Sequence, residues 1–280
     1  MDLPILYQDE TLLVINKPSG IIVNRAQSVK EETVQAWAEA HLKSQITNPN
    51  IQKNIDASHW PLRFGHCDFC SRAGIVHRID KETSGILLIA KTPEVFRGLQ
   101  RQFADREVKK TYIALVHGKI VPEEGEIRAP VGRLPWHPER FGIVPGGKDA
   151  ATTYKVLSVL SFQLSGSSQP VNRSTGQPRS ENRNQKTDNR ELMALVELYP
   201  ETGRTHQIRV HLKYIGHPIV GDYLYAGRKT SKNDRQWASR VLLHAWKIRF
   251  SHPIKNNPLA FEAPIPDDMK RIIKSDQSDQ

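Results

Sequence analysis

The sequence predicts a mixed α and β fold with much antiparallel sheet, and three observations carry that expectation. Short apolar runs of strand length, bounded by Gly, Pro and Asp, recur along all 280 residues. Clear helical periodicity is confined to two stretches. Hydrophobic residues make up 38% of the chain, enough to close a core without disulfides or metal. We expect a single domain over residues 1–280.

The strand candidates, in order, are LLVIN, GILLIAK, TYIALVHG, TYKVLSVL, LMALVEL and WKIRF, each rich in β-branched or aromatic residues. In PEVFRGLQRQF, Val95, Phe96, Leu99 and Phe103 share a helical face, and Pro93 suits the first turn. A second helix is expected through THQIRVHLKYIG, with Ile208, Leu212 and Ile215 inward and Gly216 as the stop. Residues 163–191 are nearly all Ser, Asn, Gln, Pro and charge, so they cannot bury enough apolar surface to offset their ordering entropy. They are expected to be a disordered loop that lengthens a hairpin, and 271–280 a flexible tail.

The net charge of +10 favours a polyanionic partner, because each neutralised phosphate releases counterions. The N-terminal twenty residues lack a basic segment followed by a long apolar run, and the longest later apolar stretch, Ile86 to Ala90, is too short to span a bilayer. A cytoplasmic location follows, with no membrane contact, no inferred protein partner, and a monomer by default. Cys67 and Cys70 are the only cysteines, too few for a disulfide framework. His66 and His77 lie nearby, but no second C-x-x-C pair completes a zinc site, and two reduced thiols in a loop are expected.

Three stretches can carry chemistry. In GIVHRIDKETSGILLIAKT, a polar cluster from His77 to Gly85 immediately precedes an apolar strand, which suits a side chain held rigidly above a cleft. The alternative is that Asp80 and Thr83 only bond turn backbone. In REVKKTYIALVHG, alternation puts Tyr112, Ala114 and Val116 on one face, where a tyrosine can equally be core. LYPETGRTHQIRVHLKYIGHPIVGDYLY carries scattered Arg and His that can equally be a solvated basic face.

These stretches resemble the RluA-type family of RNA pseudouridine synthases: HRIDKETSG followed by ILLIAKT, the K-x-Y-x-A-x-V-x-G spacing from Lys110 to Gly118, and the TGR-x-HQIR-x-H block leading to GD-x-x-Y. DETLLVINKPSGIIV and LLHAWKIRFSHPIKNNPLAFEAPIPDDM also look like the family, so the resemblance covers residues 5–270 apart from the insertion, without the N-terminal S4-like module of many relatives. It implies the pseudouridine synthase fold, a central, mainly antiparallel mixed sheet with flanking helices and a basic RNA-binding cleft.

It also implies roles. Asp80 is the residue that acts on the uridine, Tyr112 lines the uracil pocket, and a basic residue pairs with the aspartate. That base is assigned to Arg209, with Arg204 as second choice. Arg78 is expected to occupy the space of the flipped base, and His77, Thr83, Arg204, His206 and Gln207 to contact substrate. Arg97, Arg101, Lys109 and Lys110 are candidates for RNA phosphates. The implied substrate is structured ribosomal or transfer RNA, with no cofactor and no metal. A shifted kinase loop is a poor rival, since no P-loop, glycine-rich loop or DFG triplet accompanies HRIDK. A non-catalytic RNA-binding or ribosome-assembly protein on the same scaffold is the stronger one.

Overall fold

The computed structural model describes residues 1–25, 31–46, 68–163 and 190–277. Its main sheet has nine strands: β1 (Ile5–Gln8), β2 (Leu12–Lys17), β3 (Ser84–Ala90), β4 (Lys109–His117), β5 (Glu124–Arg128), β8 (Ala151–Gln163), β9 (Arg190–Pro200), β10 (Leu243–Ser251) and β11 (Pro258–Glu262). Their spatial order is β1-β2-β3-β10-β4-β9-β8-β5, with β11 paired to β10. Among the described pairings only β3 with β10 is parallel; the rest are antiparallel. A separate ribbon joins β6 (Val131–Leu134) to β7 (His137–Ile143).

Strand periodicity sorts the core onto the two faces of this sheet. Leu13, Ile15, Leu87 and Ile89 pack with Val34, Trp37, Ala38 and Leu42 of helix α1 (Val34–Ile46). Their sequence neighbours Leu12, Val14, Ile86 and Leu88 pack on the opposite side with Val95, Phe96 and Leu99 of α3 (Pro93–Ala104). The α3 start is the expected one: Thr92 caps it by accepting from the Val95 N–H, and Pro93 occupies the first turn. Ile208 and Leu212 of α4 (Gln207–Tyr214) pack on Ala114, Val116, Ala194 and Val196, and Gly216 ends that region at φ +87°.

Several elements were not foreseen: α1, the short α2 (Asp68–Ser71), α5 (Arg228–Asp234), and strands β1, β5, β6, β7 and β11. Residues 271–277, expected as tail, continue α6 (Asp267–Gln277), where Met269 is buried against Leu115 and Met193 with Ile272 and Ile273 beside it. Strands β8 and β9 pair antiparallel out to Gln163 with Arg190, inside the bounds expected for the loop; 164–189 lie outside the described residues. Cys70 is disulfide-bonded, which corrects the expected free thiol, and Cys67 lies outside the described residues. Among the described residues, no helix is long and apolar enough to cross a membrane.

Candidate active site

Strand order brings distant segments together. Ser84 and Gly85, which follow the Asp80 loop, pair with His244 and Ala245 of β10, and Ala245 pairs on its other side with Tyr112 of β4. Gly85 sits at φ +116°, where an added Cβ would lie 2.2 Å from the Ala245 carbonyl oxygen. Only glycine lets the two strands close here. Above this junction opens a cavity of about 520 Å³ whose wall includes Asp80, Tyr112, Arg209, His77, Arg78, Thr83, Arg204, His206 and Gln207.

The Asp80 loop is held by backbone and by a lysine. Thr83 N–H donates to the Asp80 carbonyl at 3.1 Å, a bond between main-chain groups that closes the turn while Asp80 lines the cavity. From the N-terminal NKPSG segment, Lys17 Nζ donates to the carbonyls of Pro18, Ile21 and Lys81 at 2.8, 2.9 and 3.0 Å. Gly20 N–H also reaches Lys81 O, and Ser19 Oγ reaches Glu82 O at 2.7 Å. Burial pushes Lys17 down to about 7, against the attraction of Glu82 and Asp80. Three carbonyl acceptors match the three donors of an ammonium, which favours the charged form. The sequence reading gave Lys17 no role.

Arg209 lies 3.7 Å through Nη1 from Asp80 Oδ2. Its Nε and Nη2 grip Asp222 Oδ2 and Oδ1 at 2.7 and 2.8 Å, a bidentate pair with Asp222 wholly buried. Burial opposes the Arg209 charge, but Asp222 and then Asp80 carry its pKa above the ordinary value. The Tyr225 ring lies 5.0 Å from the guanidinium carbon, and Tyr225 Oη is 2.8 Å from His206 Nδ1. Asp222 itself is fixed by the Leu224 and Tyr225 N–H groups. Next to it, Gly221 N–H donates to Asp234 Oδ2 at 2.8 Å, and that same oxygen is 3.1 Å from His117 Nε2. Asp222 and Tyr225 are the GD-x-x-Y positions, visible as a pattern but not assigned.

Burial, and then the Asp80 carboxylate, push the Tyr112 phenol well above its ordinary value. His77 accepts from Leu88 N–H at 3.0 Å through Nε2, and its ring lies 4.8 Å from that of Phe103, tilted by 30°; burial and Lys110 push it down to about 3, so it stays neutral. Arg78 is exposed at the rim, while Thr83 is buried. Arg204, the second choice as partner of Asp80, donates through Nε to Asp149 O.

Gln207 lines the cavity, and its amide is engaged by protein groups. Its amide oxygen accepts from Thr202 Oγ1 and Arg204 N–H, and its nitrogen donates to Ala151 O and Thr152 Oγ1. With both ends engaged it pins α4 to β8. Of the expected phosphate contacts, Lys110 lines the cavity, whereas Arg97, Arg101 and Lys109 do not. Arg101 pairs with Asp105 on the exposed side of α3. Arg72 and Arg106, not singled out before, complete a wall that also holds Arg78, Lys110, Arg204 and Arg209.

A family model described as RNA pseudouridylate synthase matches residues 11–214. The chain is 35% identical over 275 residues to the uncharacterized RNA pseudouridine synthase YlyB of Bacillus subtilis, covering 98% of this chain and 73% of that one. It is 34% identical over 276 residues to the ribosomal large subunit pseudouridine synthase D of Nitrosomonas europaea, covering 98% of this chain and 65% of that relative. Among solved structures, human RNA pseudouridylate synthase domain containing 1 superposes with a TM-score of 0.61 at 22% identity, over 99% of this chain and 95% of that one. Human RNA pseudouridylate synthase domain containing 4 gives 0.59 at 23%, over 96% and 93%. At these identities the structural likeness establishes the shared fold, as the sequence led us to expect.

Proposed function

Because the chain belongs to the RNA pseudouridylate synthase family, whose members are isomerases of RNA uridine, we propose that Asp80 carries the reaction and that the substrate is ribosomal or transfer RNA. The observation behind the assignment is the pairing across the cavity, with Arg209 Nη1 3.7 Å from the Asp80 carboxylate. Pseudouridine forms when the N1 to C1′ bond breaks, the uracil turns, and a bond forms from C5 to C1′, with the C5 proton lost and N1 protonated. Asp80 serves as a carboxylate, either attacking the sugar or removing the C2′ proton. The opposite charge of Arg209 stabilises that carboxylate in a cavity with apolar walls at Ile75, Val76 and Leu243.

A stacked uridine must first leave its helix, at a cost of a few kcal/mol. Exposed Arg78, two residues before Asp80, fills the vacated space, and Tyr112 stacks on the extruded base with about 1–3 kcal/mol of benefit. The raised Tyr112 pKa keeps its phenol protonated at neutral pH, which suits a donor better than a resting base. His77 and Thr83 shape the pocket, and His206, anchored on Tyr225, faces the substrate with Arg204. Between the two RNA classes, the name of the Nitrosomonas relative favours large-subunit ribosomal RNA.

The test is tritium release from RNA labelled at uridine C5, prepared from cells lacking the gene so that targets remain unmodified. Supplying ribosomal and transfer RNA separately decides the class. Release from neither fraction, with RNA binding demonstrated, rejects the proposal.

A further inference from the structure

Trp136 is 87% exposed, the largest exposure among the described large hydrophobic residues, and it has no core to serve. It sits with Pro135 at the two-residue tip of the β6–β7 ribbon, where Leu134 pairs with His137. The ribbon is not a loose appendage. Its base is built into a cluster of Val131, Ala150, Val210 and Tyr225 with Phe141 and Ile143. The Phe141 N–H donates to Tyr225 Oη at 3.0 Å, and the Phe141 ring meets the His206 ring edge-on at 5.6 Å. Both contacts fall on the wall of the Asp80 cavity or directly behind it, so the ribbon is anchored at the rim of the site.

The ribbon also carries positive charge. Arg133 lies 5.2 Å over the Phe141 ring, and Arg140 has a buried Nε with no hydrogen-bond partner among the described residues. Trp136 is five positions from Phe141, so at about 3.4 Å per strand residue it stands within about 17 Å of Phe141, whose ring lies 5.6 Å from that of His206. That distance spans a few nucleotides of a single strand.

We propose that this ribbon is an RNA-binding arm whose Trp136 stacks on an unpaired base a few nucleotides from the target uridine, so that the enzyme selects targets in loops or locally open RNA. The inference rests on the proposed RNA-modifying function and adds a determinant of substrate choice. The occupant is nucleic acid because the ribbon that bears the exposed ring also bears Arg133 and Arg140 and is anchored through His206 beside a cavity walled by Arg204 and Arg209. A base offers a flat π face to an indole whatever its identity, and arginines nearby take the adjoining phosphates.

The experiment compares wild type, Trp136→Ala and Trp136→Phe for binding to ribosomal RNA from cells lacking the gene, and for tritium release from it. Loss of one stacked base should raise Kd between about fivefold and a hundredfold in Trp136→Ala, with Trp136→Phe recovering most of the loss. The loss should appear in KM, and an unchanged thermal midpoint should show that the fold is intact. A second pair of substrates, a hairpin with the flanking base unpaired and one with it paired, should be discriminated by wild type and not by Trp136→Ala. A Kd for Trp136→Ala within twofold of wild type overturns the proposal, as does a loss that phenylalanine does not recover, the outcome expected if the tip meets a protein or only solvent. A wild type that binds RNA through Trp136 yet releases no tritium would reject the proposed function while leaving the arm intact, so the two failures are distinguishable.

Discussion

Arg209 holds Asp222 with two prongs of its guanidinium, at 2.7 and 2.8 Å, and leaves the third nitrogen 3.7 Å from Asp80. One buried cation thus joins a structural carboxylate to the proposed catalytic one. The bidentate half fixes the plane of the fork, and the free Nη1 is aimed by that constraint.

Arg209→Ala should therefore reduce turnover far more than RNA affinity, and should also destabilise the fold by about 3–5 kcal/mol, since Asp222 would be left buried and unpaired. Arg209→Lys should restore part of the stability but little of the turnover, because a point charge cannot serve both carboxylates with fixed geometry. Asp222→Asn should lower both the thermal midpoint and kcat, although Asp222 is not in the wall of the cavity. Tritium-release kinetics with a parallel melt would check all three; equal losses of kcat and affinity in Arg209→Ala would count against the role.

The foreseen strands were legible as short apolar runs, as Leu12 to Ile15 is, and the two clearest helices through a period of 3.6, as Val95 to Leu99 shows. Helix α1 was not: Val34, Trp37, Ala38 and Leu42 do have helical spacing, but buried Gln35 on the same turn and intervening alanines blur its polar face. Strands β5 and β6, EGEIR and VGRL, are too short and polar to show alternation. At the site, Asp80, Tyr112 and Arg209 were visible through their motifs. Lys17 and Asp222 act on buried backbone and on another side chain, and no local pattern of residue types announces such work. Lys17 meets the Lys81 carbonyl only because β2 pairs with β3 across a long stretch of chain.

Acid should weaken the fold through histidines buried neutral. His244 lies beneath the Asp80 loop with Nδ1 2.9 Å from Ser84 Oγ, and Arg240 donates to that same oxygen, leaving the serine proton for His244. Burial pushes His244 down to about 4. Between about 4 and 6.5 the unfolded chain then binds more protons than the folded one, so this contribution is complete above 6.5 and is lost as pH falls toward 4. The loss should be about 2–3 kcal/mol by pH 4.5. Denaturant titrations at pH 7 and 4.5 would show it, and His244→Asn should flatten the slope. An equal pH dependence in that variant would remove His244 as its source.

Salt should report which cations meet RNA. Arg106→Ala and Lys110→Ala, in the cavity wall, should each reduce the slope of log K against log salt by about one unit. Arg101→Ala, on α3 beside Asp105 and outside that wall, should leave the slope unchanged. The reverse pattern, with Arg101 altering the slope and Arg106 and Lys110 silent, would move the RNA path to α3.

The central claim is that the Asp80 carboxylate performs the chemistry. Its most direct test is tritium release from C5-labelled RNA by wild type and by Asp80→Asn, with RNA binding measured on both proteins. The substitution preserves size and removes only the charge, so the account predicts intact binding and no release from the variant. Release by Asp80→Asn at a rate near that of wild type would contradict it.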